Sequence, residues 1–348
     1  MNSVERAAAA FSVRLDGAVT LKQGRGTVVR VRLSSGSSDT AILKQYKLEH
    51  RHHFQRERAG LGLLSSLAAL EGFVPRVLAH DEPTLALLLE DITEIGSYQE
   101  QIFVQDPNAG GLLESTARRL GELHGHAREL VPQFLQQVPD PIAPGALLNE
   151  GAAGTLAFIQ RALAPAVSAE LSLGSGLQTE LLSVAERVDE LGILTTLTLG
   201  DMAPSNVLLA PHGPVFIDLE YCAVRHACYD AMFWHCICPF SNQLTNRMDA
   251  SYRAGLSSAG VKVDEAQFLG AMQLFMTHRL FWTLSWNMES LLDRDRELVP
   301  GVSTRATLIQ YLREFVRITA QIPAPEHPLL LQVAKRLEAR LSSLWDAR

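Results

Sequence analysis

The sequence predicts an α+β protein of two lobes, with a small antiparallel β lobe first and a mainly helical lobe after it. Up to about residue 92, short runs of β-branched and aliphatic residues alternate with Gly and Ser turns. Beyond that point, apolar residues recur at helical spacing. With 348 residues, of which 47% are hydrophobic, the chain is long enough to give each lobe a core. We therefore expect lobes at residues 1–92 and 93–348.

In the first lobe, strands are predicted at residues 19–22, 27–33 and 40–46, because these runs are short and rich in β-branched residues. Gly24 and Gly26 separate the first two strands. Glycines in this place let backbone amides approach a nucleotide phosphate, but two glycines between strands also make an ordinary hairpin. Both explanations stay open for Gly24 and Gly26.

The most informative stretch begins with a short apolar run that ends at Gly200 and Asp201. The run predicts a strand that places a carboxylate in a loop. Asn206 follows five residues after Asp201. Because Asp and Asn are also common turn residues, a purely structural loop is the competing explanation.

A β-hairpin is predicted immediately after this loop. Its strands are the apolar runs at residues 207–210 and 215–219, and Pro and Gly occupy the turn between them. Asp218 stands at the end of the second strand and Glu220 two positions later, so both are expected on one face of that strand. The hairpin is expected to bring Asp218 to the end of a small sheet where Asp201 also lies.

These residue types suit the transfer of a phosphoryl group. A carboxylate such as that of Asp201 orients and deprotonates an attacking hydroxyl, and the oxygen atoms of Asn206 and Asp218 are ligands that Mg²⁺ accepts. The spacing D-x-x-x-x-N, then a hairpin and then Asp, is the arrangement in which protein kinases keep a base and two metal ligands.

The same stretch resembles the aminoglycoside phosphotransferase and choline kinase family of small-molecule kinases. The signature of that family is H-G-D-x-x-x-x-N, a hairpin, and then I-D-x-E. This chain has Leu199, Gly200, Asp201 and Asn206, followed by I-D-L-E at residues 217–220. The resemblance implies a two-lobed protein-kinase-like fold and the ATP-dependent phosphorylation of a hydroxyl on a small molecule, with GTP as the alternative donor. Leu199 departs from the family's His, which braces the loop.

The resemblance also implies a role for each side chain. Asp201 is expected to be the catalytic base. Asn206 and Asp218 are expected to hold Mg²⁺, with Glu220 as a further metal contact. Lys44 is expected to hold the nucleotide phosphates.

Lys44 lies in the third predicted strand, and Glu57 lies near the centre of a helix predicted at residues 50–67. A lone lysine in a strand is usually solvated at a sheet edge, and an acidic residue between two arginines is usually exposed on a helix. The kinase-like arrangement instead pairs Lys44 with Glu57, and we expect this ion pair.

An apolar strand predicted at residues 85–89 runs into Glu90, Asp91 and Ile92. This connector resembles the hinge between kinase lobes, where backbone groups around Glu90 and Ile92 are expected to hold the adenine. An ordinary strand end is the competing explanation.

The remainder of the chain is predicted to be helical, apart from a proline-rich loop or lid at residues 131–150. Helical spacing is found at residues 112–130, 155–171, 178–191, 231–238, 244–256, 265–292, 304–322 and 327–345. In one of these helices, aromatic and polar residues mix at Phe275, His278, Phe281, Trp282 and Trp286. Core packing is the commoner explanation of such a stripe, and a substrate wall is the alternative.

The charge of the chain bears on its partners. A net charge of -7 and a pI near 5.9 argue against binding to nucleic acid, which needs a basic surface. The first residues lack the apolar core of a secretion signal, and no apolar run is long enough to span a bilayer. We expect a cytoplasmic protein without membrane contact; the oligomeric state is not readable.

The cysteines and two histidines fall close together in the sequence, at Cys222, His226, Cys228, His235, Cys236 and Cys238. Their spacing matches no paired C-x-x-C pattern, so buried free thiols are favoured over a zinc site.

Two other functions stay open. One is a weakly active, kinase-like nucleotide-binding module, because of Leu199, and the other is a metal-regulated protein. For a true kinase, the acceptor is an antibiotic such as an aminoglycoside, or a metabolite such as choline or homoserine.

Overall fold

The structure is a computed structural model that describes residues 2–33, 40–103, 109–138, 175–188, 190, 192–236, 239–299, 301–322 and 327–346. The chain divides into two compact units, of which the first is formed by Met1–Pro141 with Thr196–Val224 and the second by Ile142–Thr195 with Arg225–Arg348. This division differs from the predicted lobes at residues 1–92 and 93–348. The lobe boundary near residue 92 stays a prediction.

An antiparallel sheet of five strands forms the N-terminal part of the first unit. Its spatial order is β1-β2-β3-β5-β4, so that β3 is the central strand and β1 and β4 are the edges. The strands are β1 (Arg14–Gln23), β2 (Gly26–Arg32), β3 (Thr40–Tyr46), β4 (Val77–Asp81) and β5 (Ala86–Glu90). The predicted α+β class is confirmed, with an antiparallel sheet first and a largely helical part after it.

A helix that the sequence analysis missed covers one face of this sheet. It is α1 (Ser3–Ala10), and Asn2 and Glu5 form a capping box at its start. Ala7 and Ala8 pack in the same apolar cluster as Val31 of β2 and residues of β3 and β5. The helix escaped prediction because it is short and its apolar residues are mostly alanines, whose periodicity is weak.

Among the described residues, four further α-helices belong to the first unit, and one of them corrects a prediction. They are α2 (Arg51–Leu64), α3 (Tyr98–Phe103), α4 (Ala109–Ala127) and α5 (Val131–Gln137). The loop predicted at residues 131–150 is wrong for the part that forms α5, and residues 139–150 lie outside the described residues. Pro132 occupies the first turn of α5, where proline costs no hydrogen bond, so it begins a helix here.

The first unit also contains the hairpin predicted from the sequence. Its strands are β7 (Val207–Ala210) and β8 (Gly213–Phe216), and they follow β6 (Thr195–Thr198) and precede β9 (Ala223–His226). Val207 pairs with Phe216 and Ala210 with Gly213, so the hairpin turns within two residues. This tight turn brings the segments before β7 and after β8 to the same end of the hairpin.

The second unit is mainly helical. It contains α6 (Ser175–Arg187), α7 (Cys228–Ala231), α8 (Phe233–Cys236), α9 (Asn242–Ser258), α10 (Glu265–Asp293), α11 (Thr304–Thr319) and α12 (Pro328–Asp346), and the short strands β10 (Glu297–Val299) and β11 (Val302–Ser303). Helix α11 packs against α10 and α12 through buried residues such as Tyr311 and Phe315. The helix predicted at residues 155–171 lies outside the described residues. Among the helices that are described, none is both long and apolar enough to cross a membrane.

A buried charged cluster joins three helices of the second unit. His235 of α8 lies with Nε2 3.0 Å from Asp249 Oδ1 and with Nδ1 3.3 Å from Glu314 Oε2. Trp234 donates to Asp249, and Arg317 donates to Glu314. Burial by itself would lower the pKa of His235, but the two carboxylates outweigh it and raise this pKa to about 9. The imidazole is therefore positively charged at neutral pH.

We expect this cluster to make the protein less stable at alkaline pH. Because the pKa of His235 is higher in the folded chain than in the unfolded chain, its contribution is complete below about pH 6.5 and is lost as the pH rises through about 9. We expect the free energy of unfolding to drop by on the order of 3 kcal/mol between those limits in the wild type. This part of the pH dependence should be absent in His235→Gln, which lacks the titrating group.

Urea unfolding of both proteins at about pH 6 and about pH 10 measures this difference. Comparison with the variant removes the contribution of other groups that titrate in the same range. Parallel pH dependences in the two proteins would contradict the assignment.

Candidate active site

Lys44 is buried in the central strand β3 of the first unit. Its side chain is 10% exposed, and Nζ lies 2.8 Å from Glu57 Oε2 and 2.5 Å from Asp218 Oδ1. Burial by itself would lower the pKa of this ammonium, but the carboxylates of Glu57 and Asp218 outweigh it and raise the pKa above its usual value. Lys44 is thus a permanent buried cation, and a solvated edge lysine is ruled out because β3 has a strand on either side.

Glu57 fixes the position of Lys44 from helix α2. Its side chain is 1% exposed, which excludes the exposed helix charge that was the competing explanation. The Tyr46 hydroxyl donates to Oε2, and the backbone amide of Leu219 donates to Oε1 at 3.1 Å. Burial raises the pKa of the Glu57 carboxyl, and the Lys44 ammonium opposes that shift. Every oxygen of Glu57 is held, so the carboxylate is a rigid partner for Lys44.

Asp218 closes the ion pair from the segment after the hairpin. Its second oxygen, Oδ2, accepts from Lys22 Nζ at 2.9 Å. Burial by itself would raise the pKa of Asp218, but Lys44 and Lys22 lower it to about 2. The backbone of Asp218 is left-handed, with φ 61° and ψ 57°, which costs a non-glycine residue about 1 kcal/mol. The two lysines hold the carboxylate in this strained conformation.

The left-handed turn at Asp218 also corrects the prediction for Glu220. Strand β8 ends at Phe216, and Leu219–Tyr221 form a 3₁₀ turn, so Asp218 and Glu220 do not share the face of a strand. The alternation of side chains along a strand does not apply here, because the chain changes direction at Asp218. The Glu220 side chain pairs with Arg25, and its backbone carbonyl accepts from Nδ1 of His53 at 3.0 Å. Its role as a metal contact stays a prediction.

The loop between β6 and β7 holds Asp201 and Asn206 in fixed positions. Gly200 has φ +87°, and a Cβ at this position would lie 2.4 Å from the carbonyl oxygen of Tyr221, so only glycine fits. The amide of Asn206 donates to the Asp201 carbonyl at 3.1 Å, and the Asn206 carbonyl accepts from the backbone amide of Ile217 at 2.9 Å. These bonds link the loop to the segment that carries Asp218.

A cavity of about 320 Å³ in the first unit is lined by Lys44, Glu57, Asn206 and Asp218. Much of the remaining wall is apolar, with contributions from Leu21, Val28, Ile42, Leu61, Pro75, Leu89, Leu208 and Ile217. The cavity therefore combines an apolar wall with a cluster of charged side chains. Such a cavity suits a ligand with a flat apolar part and an anionic tail. Asp201 is not part of its lining.

The segment after β5 forms another part of the wall of this cavity. Glu90 and Ile92, the residues proposed from the sequence for adenine binding, both line it. Between them, Asp91 forms a two-point ion pair with Arg30, at 2.7 and 3.1 Å, and accepts from the Thr40 hydroxyl. The Glu90 carboxylate pairs with Arg76 at the surface. Contact between this segment and an adenine stays a prediction.

Gly24 and Gly26 form the turn between β1 and β2, with the Gly24 amide donating to the Gly26 carbonyl at 2.9 Å. Neither residue lines the cavity described above. A Cβ on Gly26 would lie 2.2 Å from the carbonyl oxygen of Gln45, whereas a Cβ on Gly24 would meet nothing within 4 Å. Close packing of β2 on β3 is therefore sufficient to explain Gly26, and the phosphate role of both glycines stays a prediction.

Charged residues that were not predicted from the sequence are Lys22, Arg30 and Asp91, which line the cavity, and Arg25, which pairs with Glu220. Lys22 escaped because β1 has a bulge between Thr20 and Lys22, so alternation along the strand does not predict its direction. Arg30 and Asp91 are 61 residues apart, and only the pairing of β3 with both β2 and β5 brings them together. No local pattern carries that information.

The cysteine and histidine cluster does not form a metal site within the part of the chain that is described. Cys222 and Cys228 are buried, reduced thiols, and Cys238 lies outside the described residues. His235 is engaged by two carboxylates, as described above. Burial raises the pKa of the Cys236 thiol to about 11, although Arg279 opposes it, so this thiol stays protonated.

The aromatic stripe of α10 is described only in part. Phe275 and His278 are buried, in keeping with core packing. The side chains of Phe281, Trp282 and Trp286 lie outside the described residues, and a substrate wall stays a prediction.

Solved structures of small-molecule kinases share this fold. Choline kinase LicA from Streptococcus pneumoniae matches with a TM-score of 0.53 and 14% sequence identity, over 91% of this chain and 97% of that chain. Macrolide 2'-phosphotransferase MphH from Brachybacterium faecium matches with a TM-score of 0.54 and 14% identity, over 83% of this chain and 93% of that chain. The GDP complex of an aminoglycoside 2'-phosphotransferase-IIIa mutant matches with a TM-score of 0.54 and 14% identity, over 92% and 98%.

These likenesses confirm, at the level of the fold, the resemblance expected from the sequence. No family model matches the sequence, and no curated protein matches it either.

The two glycines of the β1–β2 turn offer a matched pair of substitutions. We expect Gly26→Ala to lower the free energy of unfolding by roughly 1–3 kcal/mol, because its Cβ would overlap the Gln45 carbonyl and separate β2 from β3. Gly24→Ala should change it by less than about 1 kcal/mol, because its Cβ has open space. Urea unfolding measures both. Equal losses of stability would contradict the packing explanation for Gly26.

Proposed function

We propose that this protein is a small-molecule kinase, which transfers the γ-phosphate of ATP to a hydroxyl group, with GTP as the alternative donor. The observation that carries the proposal is the ammonium of Lys44, buried between Glu57 and Asp218 at the wall of a cavity. A buried ion pair is often no more stable than apolar residues of similar volume, so stability alone does not account for a cation that borders a cavity. The kinase-like fold of the neighbours supports the same function.

The cavity supports a purine nucleotide as the phosphate donor. Val28, Ile42 and Leu89 give the cavity apolar surface on which a base can pack. Glu90 and Ile92 line the same cavity, and the proposal places the edge of the base against the backbone of their segment. The phosphates then extend toward Lys44, whose ammonium is oriented by Glu57 to receive them.

The donor atoms of the site fit Mg²⁺. Asn206 and Asp218 line the same cavity and offer an amide oxygen and a carboxylate, both of which are hard oxygen ligands. The Asn206 amide nitrogen is used by the Asp201 carbonyl, which leaves the amide oxygen to face away from that carbonyl. The low pKa of Asp218, about 2, keeps it an anion at any physiological pH. When bound, Mg²⁺ neutralises charge on the phosphate oxygens and orients them for transfer.

Asp201 is the proposed catalytic base. Its backbone is fixed by Gly200 and by Asn206, so the carboxylate is positioned by the loop rather than by a flexible segment. It accepts the proton of the acceptor hydroxyl and orients the oxygen toward the γ-phosphate, while Lys44 holds the phosphate chain. The hydroxyl oxygen forms the new P–O bond as the bond to the nucleoside diphosphate breaks.

A weakly active or inactive nucleotide-binding module is the second candidate. It is favoured by Leu199, which stands where the resembling kinases have His and which is buried immediately after β6. A leucine here braces the loop by packing alone and donates no hydrogen bond from its side chain. Such a module would bind nucleotide and transfer nothing.

The function is tested with purified protein, Mg²⁺, and ATP or GTP, against a panel of amino sugars, macrolides, nucleosides, choline and homoserine. We expect nucleoside diphosphate to be released with at least one class of acceptor above the rate without acceptor. Phosphorylation of the acceptor hydroxyl is then confirmed by mass spectrometry. Nucleotide binding without transfer to any acceptor would instead support the binding module.

Substitutions at two aspartates separate chemistry from nucleotide binding. We expect Asp201→Asn to lower kcat by about 10²–10⁴-fold with little change in nucleotide affinity, because only the base is lost. Asp218→Asn should weaken nucleotide binding by about tenfold in Mg²⁺ and much less in its absence, because a metal ligand is lost. Turnover and calorimetric titration measure the two effects.

Glu71→Gln, which changes an exposed carboxylate outside the cavity, is the control for both variants. Turnover of Asp201→Asn within a few-fold of this control would remove Asp201 from the proposed mechanism.

A further inference from the structure

Lys22 is a second lysine that faces the cavity. In the sheet register, Lys22 of β1 pairs with Val28 of β2, and Val28 pairs with Lys44 of β3. The two lysines are therefore in one row across three strands, with backbones about 10 Å apart. All three residues line the cavity. The sheet thus presents two cations on one face, on either side of an apolar residue.

The two lysines share one carboxylate. Lys44 contacts Oδ1 of Asp218 and Lys22 contacts Oδ2 at 2.9 Å. Their environments differ, since the Lys44 side chain is 10% exposed and the Lys22 side chain is 65% exposed. An ion pair as exposed as that of Lys22 adds little to stability. The position of Lys22 is therefore poorly explained as a device that stabilises the fold.

The charged side chains around Asp218 are balanced when no ligand is bound. Three cations, Lys22, Arg25 and Lys44, face three carboxylates, those of Glu57, Asp218 and Glu220. If Asp218 becomes a metal ligand, as proposed above, Lys22 loses its partner and lies beside a divalent cation. A phosphate chain in the cavity restores the balance, because it brings oxygen anions within reach of the same flexible side chain.

The turn that carries Lys22 is tied down at its tip. The Arg25 side chain pairs with Glu220 and lies over the Tyr221 ring, 5.0 Å from its centre, and the Arg25 carbonyl accepts from the Lys47 amide at 3.1 Å. These contacts hold the end of β1 over the cavity. Lys22 therefore reaches the charged part of the cavity from a fixed backbone, with only its side chain free to move from one oxygen to another.

We propose that Lys22 is a phosphate-binding residue, which exchanges Asp218 for the phosphate oxygens of the nucleotide when the metal–nucleotide complex binds. The inference rests on the proposed function of this site and adds to it a second phosphate-binding cation beside Lys44. In this proposal, the ion pair between Lys22 and Asp218 holds both side chains in place until the ligand binds.

Calorimetric titration with a non-hydrolysable ATP analogue in Mg²⁺, and with adenosine alone, tests the proposal without requiring activity. Lys22→Met should weaken binding of the analogue by about tenfold or more and leave adenosine binding within about twofold, because only the phosphates are contacted. Lys22→Arg should restore most of the affinity, since it restores the cation. Lys47→Met removes an exposed lysine outside the cavity lining and should behave as the wild type.

The possible results separate the two proposals. If Lys22→Met binds the analogue as tightly as Lys47→Met does, or more tightly, Lys22 is only a partner or competitor for Asp218 and the inference is overturned. If the wild type binds neither the analogue nor adenosine, the proposed kinase function fails, and the inference fails with it. Urea unfolding of each variant shows that the compared proteins are equally folded.

Discussion

The buried ammonium of Lys44 is the interaction on which the rest of the site depends. It lies between Glu57 and Asp218, and each carboxylate comes from a different segment of the first unit. Burying one charge costs several kcal/mol unless its partners are fixed, so the surrounding structure is arranged to fix them. Tyr46 and the Leu219 amide hold Glu57, and a second lysine holds Asp218. Helix α2, strand β3 and the segment after β8 are thereby joined through one cation.

Unusual backbone conformations, as well as charge, position the residues of this site. Two adjacent segments use left-handed conformations, one at Gly200 and one at Asp218. At Gly200 the absence of a side chain lets the chain pass close to the Tyr221 carbonyl. At Asp218 the conformation turns the carboxylate toward the sheet, and ion pairs offset its strain. Backbone strain of this kind is commonly found at functional sites, where the contacts of the site maintain it.

The buried charge clusters of the two units differ in their surroundings. In the first unit, cations and carboxylates gather around a cavity and leave room for a ligand. In the second unit, His235, Asp249, Glu314 and Arg317 satisfy one another in the core, where burial and full pairing favour a structural role. The contrast explains why the first cluster supports a proposal about function. A charge cluster that borders a cavity is able to exchange partners, and one that is closed in the core is not.

The sequence by itself determined the fold class, the hairpin at β7 and β8, and the identity of Lys44, Glu57, Asp201, Asn206 and Asp218 as candidates. These were predictable because periodicity and turn chemistry are local, and because the order of the motifs along the chain resembles a known family. Only the tertiary structure decided the placement of Lys22, Arg30 and Asp91 beside the cavity, the turn that separates Glu220 from the face of Asp218, and the role of Gly26 in packing. The physical reason is that these features arise from a bulge, a left-handed residue and contacts between distant strands, none of which leaves a periodic pattern in the sequence.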